Sequence, residues 1–464
     1  MPVHADLGSI RDARGQIYIS DARVYRSVMP TAVADYEFVR DSGYFNELIS
    51  ESALVGFAEV DPEILGPVAP DARYVLEHPK LAFISYPYEW SFRALKAAAL
   101  LQLDVYSKAL DHGITLSDAT AYNVQFQGAR PIFIDHLSFR RYRDGEYWLA
   151  HRQFCEQFLN PLLLRAKLGI PHNAWYRGSL EGISAQELSA LLPMRKKLSW
   201  NVFTQVVLQA SFQKTALNKD ARAAVPSQSS LPKAAYQRMI ASLRDWIAGL
   251  STPRSEKTVW AEYTAETSYK AEDTRRKQEF IVRFAADIKP AMLWDIGCNT
   301  GEFAKTALHA GADCVIGFDF DQLALDRAFD RARAENLNFL PLFLDIANPA
   351  PDQGWAESER KGLSARATAD AVVALAIVHH LAITRNIPLA NVVDWLVSLA
   401  PDGVVEFVPK SDPMVQDLLR LREDVFDDYN EQHFINSLER RVKIVDTEVV
   451  SESGRKLVRY RRQS

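Results

Sequence analysis

Cysteine is scarce in this chain: Cys155, Cys298 and Cys314 stand far apart in 464 residues, and no Cys-x-x-Cys pair occurs. That argues against a zinc knuckle or a disulfide framework and suits a reducing compartment. Long apolar runs are missing too. The most apolar stretch, 369–383, is too short to span a bilayer and carries His379 and His380. The opening residues MPVHADLGSIRDARG lack the apolar segment of a secretory signal, so a cytoplasmic location without a membrane partner is expected. Neither sign of charge dominates. A net charge of −5 gives no global reason to expect nucleic acid. The local exception is a basic end, Arg455, Lys456, Arg459, Arg461 and Arg462, which reads first as the solvated side of a last strand.

What is present is ample core material, 48% hydrophobic and 24% charged, in a chain long enough for two or three domains. Residues 1–217 mix short β-like runs (QIYI, RVYRSV, LAFISYP, VQF, PIFID) with helical stretches such as Ser91 to His112, an α+β pattern. Residues 218–256 hold a polar, Ser- and Pro-rich stretch suited to a linker, followed by a helix from about Ala234 to Leu250. From 257 to 464 a further helix, from about Tyr269 to Ile288, leads into short apolar runs. The runs MLWDIG, CVIGFDF, FLPLFLDI, DAVVALAIV and VVEFV are separated by helix-like segments, the spacing of βαβ units in a doubly wound, Rossmann-like parallel sheet. Two closing runs, VKIVDTE and KLVRYRR, lie near enough for an antiparallel hairpin at one edge.

The sharpest signal is LWDIGCNTGEFAKTAL, where a strand ends at Asp295, a loop holds Gly297, Asn299 and Gly301, and a helix follows. Glycine suits a turn where a cofactor lies against the backbone. A dinucleotide site wants G-x-G-x-x-G, but positions 299 and 302 are Asn and Glu. A Walker A loop wants Gly before Lys, but Lys305-Thr306 follows Ala304. The pattern D-x-G-x-N-x-G instead resembles motif I of class I S-adenosylmethionine (SAM)-dependent methyltransferases, with Asn299 where many members have glycine. The second strand ends at Asp319, about 20 residues after the loop, which suits hydrogen bonds to ribose hydroxyls and resembles the family's ribose ligand. Asp321 suits the cap of the next helix. Asp345, after the third strand, resembles the residue that meets the adenine amino group, and is equally a plain strand-end turn. Ala376 and Ile377, after the fourth strand, resemble motif IV, close to the sulfonium. Upstream, Trp260, Tyr263 and Tyr269 lie where related enzymes cover the cofactor; ordinary packing serves them as well.

The resemblance implies in-line displacement at an activated methyl group, with the protein positioning the acceptor and removing solvent. His379 and His380 are the nearest candidates for a general base, because histidine titrates near neutral pH. Adjacent histidines also follow this strand in many methyltransferases without a proton-transfer role.

In the first block, Asp118 precedes Asn123 by five residues, and Asp135 follows at the end of PIFID. This spacing resembles the kinase fold, in which D-x-x-x-x-N and a later Asp serve as catalytic base and magnesium ligands. Arg26 in RVYRSV stands where the phosphate-binding Lys is expected. The departures are plain: no glycine-rich loop, Leu116-Ser117-Asp118 for HRD, and His-Leu after Asp135. Arg does not replace Lys on a phosphate without a change of geometry. The block therefore reads as a kinase-like substrate or accessory domain without phosphotransfer, as a working kinase holding ATP and magnesium, or as a chance likeness whose Asp118 and Asn123 are turn residues.

Across nearly its whole length the chain resembles bacterial two-part, nodulation-protein-related methyltransferases. The leading expectation is an O- or N-methyltransferase for a small molecule or glycan, with the first block selecting the substrate. The alternatives are a bifunctional kinase–methyltransferase and a non-catalytic SAM-binding regulator. Negative charge and the lack of a stacking motif argue against RNA as the acceptor.

Overall fold

The structure is a computed structural model that describes residues 3–20, 23–146, 148–211, 231–253, 271–420 and 423–462. The expected cofactor-covering residues Trp260, Tyr263 and Tyr269, and most of the expected linker, lie outside the described residues. Two compact units divide the chain. The first comprises Met1–Phe126, Arg130–Glu256 and Asp352–Arg360, and the second Gln127–Ala129, Lys257–Pro351 and Lys361–Ser464.

In the first unit, strands β1 (His4–Ala5), β2 (Ile17–Ile19), β3 (Arg23–Val28), β4 (Ala58–Val60) and β5 (Tyr74–Pro79) form a sheet in the order β1-β2-β3-β5-β4. All its pairings are antiparallel. Helices α1 (Val33–Asp41) and α2 (Tyr44–Ser50) are inserted between β3 and β4. The expected strand LAFISYP does not form. Tyr74–Pro79 takes that place, and in the next segment the Gln125 side chain holds the Ser85 backbone: Nε2 donates to Ser85 O and Oε1 accepts from Ser85 N, both at 2.9 Å.

Helix α3 (Phe92–Asp111) begins at Ser91, whose hydroxyl accepts from the Ala94 amide at 3.3 Å. Its buried face carries Leu95, Ala98, Leu103, Val105, Tyr106 and Leu110 at helical spacing. Two small strand pairs follow α3, β6 (Ile114–Leu116) antiparallel with β9 (Phe139–Arg141), and β7 (Val124–Gln127) with β8 (Arg130–Phe133). Short helical segments then run between His151 and Val207. Helix α4 (Lys233–Ala248) packs on α3 through the buried Tyr236, Ile240 and Leu243, the hydroxyls of Tyr236 and Tyr106 bonded to each other.

In the second unit, helix α5 (Ala271–Ile288) precedes strand β10 (Leu293–Ile296). The chain then alternates: α6 (Glu302–His309), β11 (Val315–Asp319), α7 (Gln322–Ala334), β12 (Phe339–Phe343), β13 (Ala371–Ala374), α8 (Leu389–Leu399), β14 (Asp402–Phe407), α9 (Pro413–Leu419), α10 (Glu431–Glu439), β15 (Val442–Val449) and β16 (Lys456–Arg462). The sheet order is β12-β11-β10-β13-β14-β16-β15. β10 to β14 are parallel, and the closing pair is antiparallel with β16 inward against β14. Side chains along β10 and β13 are buried throughout, as parallel strands covered on both sides require. The strand order reverses at β10, between β11 and β13, the place where open parallel sheets bind ligands beyond their carboxyl ends.

The basic end is a solvated face in part: Arg461 and Arg462 on the last strand are exposed, whereas Arg455 is not. Arg455 is buried and bonded to Asp412 at 2.7 Å. Arg461 pairs with Asp402 at 2.8 Å, while Lys456 pairs with Glu431 and Arg459 with Asp287. Strand β16 carries cations because its neighbours carry carboxylates.

Candidate active site

The turn after β10 is built by backbone geometry. Gly297 has φ +83° and Gly301 φ +79°, left-handed values that glycine adopts without Cβ strain. Asn299, at φ +47°, holds the same kind of bend, and asparagine is among the side chains that tolerate it. The two glycines answer different needs. A Cβ on Gly301 would stand 2.4 Å from the Phe339 ring, so packing forbids one there. A Cβ on Gly297 would meet nothing nearer than Leu375 O at 3.6 Å and the Ile377 side chain at 3.7 Å. A Cβ on Gly297 would thus make ordinary van der Waals contact with residues 375 and 377, without a clash.

Carboxylates surround this turn. Asp319, at the end of β11, accepts the Asn299 amide on Oδ2 and the Asp321 amide on Oδ1, both at 2.9 Å, and so locks the turn to the next strand. Asp321 caps α7 by accepting from Leu323 N at 2.9 Å and Ala324 N at 3.2 Å. Asp295 is 2% exposed, and its Oδ2 has no hydrogen-bond partner among the described residues. Burial first, and the Asp319 charge second, push its pKa up to about 7; burial likewise lifts Asp319 to about 6. Two carboxyl groups that resist ionising thus face the turn. Asp345 stands two residues past β12, held by Arg385 Nη2 at 3.2 and 3.3 Å.

Beyond β13 the backbone bends at Ala376, where φ is +51°, and its amide donates to Glu406 Oε2 at 2.8 Å. His379 is fully buried, both ring nitrogens lacking a partner among the described residues, and its ring centroid lies 4.1 Å from that of His380. Burial, then the neighbouring His380, Arg455 and Lys277 charges, hold the His379 pKa well below the ordinary imidazole value. Burial, with Arg455, lowers His380 to about 4. Both imidazoles are neutral at pH 7 and weak as proton acceptors, which fits poorly with the expected general base.

In the first unit, Asp118, Asn123 and Asp135 come together. Asn123 Nδ2 donates to Asp118 Oδ1 at 3.0 Å and to Asp135 Oδ2 at 3.2 Å. Arg26, on β3, lies 2.9 Å from Asp135 Oδ1 and 3.3 Å from Asp12 Oδ2. Burial, with Asp135 and Asp12 nearby, raises Asp118 to about 7.

No family model matches the chain. Over 461 residues it is 45% identical to the nodulation protein NoeA of Rhizobium meliloti (strain 1021), an alignment that takes in 98% of this chain and 95% of that protein. The chain belongs to the NoeA family. Among solved structures, the N-methyltransferase NodS from Bradyrhizobium japonicum WM9, in complex with S-adenosyl-L-homocysteine, is 13% identical with a TM-score of 0.32, covering 45% of this chain and 94% of NodS. The magnesium protoporphyrin IX methyltransferase from Synechocystis PCC 6803, with bound S-adenosylhomocysteine, is 17% identical with a TM-score of 0.31, covering 44% of this chain and 93% of that one.

In this NoeA-family chain, sequence reasoning missed Asp12, Glu406 and Lys277. Glu406 is wholly buried and lies 2.6 Å from Lys277 Nζ of α5, also buried. Its signal was a single acid inside the apolar run VVEFV, where an unpaired charge would be costly to bury.

Proposed function

We propose that the second unit binds SAM beyond the ends of β10, β11, β12 and β13 and transfers its methyl group to an oxygen or nitrogen of a small molecule or glycan. The chain is a SAM-dependent methyltransferase. The observation that carries this reading is the unpartnered, buried Oδ2 of Asp295 beside the left-handed turn of Gly297, at the point where strand order reverses. A cationic ligand suits that place: parallel sheets bind ligands where their strand order reverses, and a buried carboxyl group without a partner gains one. Asp319 would hold the ribose hydroxyls through its remaining lone pairs, and Asp345, fixed by Arg385, the adenine amino group. Gly297, Asn299, Gly301 and Ala376 would shape the walls.

Bound SAM supplies a methyl group already activated on a cationic sulfur, so no residue need act as nucleophile. The chain's own work is positioning and exclusion of water. With His379 and His380 neutral, the acceptor proton has its simplest exit in solvent, a route open to an amine that arrives unprotonated. Equilibrium dialysis of the purified protein against radiolabelled SAM tests the reading, and mass spectrometry of a co-purifying metabolite would name the acceptor. If SAM binds but no extract yields a labelled acceptor, the regulatory alternative takes its place.

A pH signature follows from the raised carboxyl groups. Without ligand, Asp295 and Asp319 hold protons up to about pH 7 and 6, whereas in the unfolded chain they lose them near pH 4. Their contribution to stability is therefore full below about pH 4 and is lost as pH rises towards 7. A cationic ligand favours the ionised forms, so SAM binding at pH 6.5 is expected to release protons, and at pH 8.5 none from these groups. Calorimetric titrations in buffers of different ionisation enthalpy measure this; equal apparent heats at pH 6.5 would count against Asp295 and Asp319 as the ligand's neighbours.

We read the first unit as a kinase-like substrate-selecting domain without phosphotransfer. Its antiparallel sheet, inserted helices, long α3 and two small strand pairs bracket the cluster of Asp118, Asn123 and Asp135. The residues do not fit magnesium as they stand. Arg26 already bridges Asp12 and Asp135, and Asn123 turns its donor nitrogen rather than its oxygen to both carboxylates. Titration with Mg-ATP is expected to give no heat. A saturable signal lost in Asp135→Asn would restore the kinase–methyltransferase alternative.

A further inference from the structure

We propose that Glu406 is a positioning residue: by holding the Ala376 amide it fixes the loop after β13 against the glycine turn after β10, and so sets one wall of the transfer crevice. The inference rests on the methyltransferase reading. Leu375 O and the Ile377 side chain are the atoms nearest the missing Cβ of Gly297, so residues 375–377 form the wall opposite the turn. Between them Ala376 adopts φ +51°, a bend that an alanine does not hold without outside support. The support visible there is the 2.8 Å hydrogen bond from its amide to Glu406 Oε2.

A neutral side chain would serve as acceptor, so the charge on Glu406 needs its own account. Lys277 supplies it. Its ammonium lies 2.6 Å from Glu406 Oε1, with both side chains shielded from solvent. Arg455 Nη1 stands 3.9 Å from the same oxygen while bonded through Nε and Nη2 to Asp412. One carboxylate thereby joins α5, β14 and the loop after β13. Burying an ion pair is a poor way to gain stability alone, since apolar residues of similar volume commonly do as well or better. The arrangement specifies geometry instead, at the place where geometry matters for transfer.

Two charge-balanced double variants isolate the amide bond. Lys277→Met with Glu406→Gln removes both charges but keeps an acceptor for Ala376. Lys277→Met with Glu406→Leu removes the acceptor too. Equilibrium dialysis with SAM is expected to give the Gln form an affinity within about threefold of the unaltered protein. The Leu form should bind at least about tenfold more weakly, the scale of one buried amide left unpaired. Hydrogen exchange across 375–380 should be fast in the Leu form alone, with β10 and β14 protected in both.

Equal SAM affinity and equal exchange in the two forms would overturn the proposal. If the unaltered protein fails to bind SAM, the methyltransferase reading falls, while the exchange comparison still decides whether Glu406 holds the loop. Should a double variant fail to fold, the unaltered protein decides: the Ala376 amide is expected to be among the slowest to exchange in 375–380, and rapid exchange there refutes the clamp.

Discussion

Leucine in place of Gly297 is expected to weaken SAM binding by about 100-fold or more while the thermal midpoint stays within about 5 °C of the unaltered protein. The affinity change, ~2.7 kcal/mol, reflects a side chain placed where the ligand lies. The small thermal change follows because a new Cβ there meets only ordinary contacts, the nearest being Leu375 O at 3.6 Å. What remains is the strain of a left-handed φ in a residue with a Cβ, on the order of 1–2 kcal/mol, which moves the midpoint of a chain this size by a few degrees. Gly301→Ala is the control. Its Cβ would sit 2.4 Å from the Phe339 ring, so its loss should appear in stability first. Equilibrium dialysis beside differential scanning fluorimetry separates the two. If Gly297→Leu binds SAM normally, the crevice has been placed wrongly.

Much of the second unit was legible in the sequence because its information is local. Apolar runs alternating with amphipathic segments give parallel strands, and the runs from MLWDIG to VVEFV became β10 to β14. Asp295, Gly297 and Asp319 sit at strand ends because the topology brings successive carboxyl ends to one edge. The first unit was harder to read. LAFISYP has the composition of a strand, yet both backbone groups of its Ser85 are bonded to the Gln125 side chain, a partner that no local pattern announces. The segment Asp352–Arg360 lies between β12 and β13 in sequence but groups with the first unit. There Glu359 pairs with Arg11, and the Arg360 guanidinium lies 4.3 Å from the Tyr122 ring centroid. Such contacts depend on residues hundreds of positions apart. Arg455 shows the same limit from the other side. In sequence it is one of five basic residues at the end of the chain; in the fold it is buried on Asp412.

Those long-range pairings also locate the largest expected loss of stability. Lys277 and Arg455 balance Glu406 and Asp412 in a buried quartet, two cations against two carboxylates. Lys277→Met removes one cation and leaves Glu406 wholly buried, with the Ala376 amide at 2.8 Å and Arg455 no nearer than 3.9 Å. Arg455 is already committed to Asp412 by two hydrogen bonds, at 2.7 and 2.8 Å, and cannot neutralise both acids. Stranding a buried charge in this way costs about 3–5 kcal/mol. Adding Glu406→Gln to the same protein should recover most of that loss, because the amide keeps its hydrogen bond and needs no counter-ion. Hydrogen exchange of β10, β13 and β14 reads opening of the second unit directly, without assuming that both units unfold together. Recovery in the double variant means that the cost of the single one is electrostatic. A single variant as stable as the unaltered protein would mean that the charge balance carries no weight.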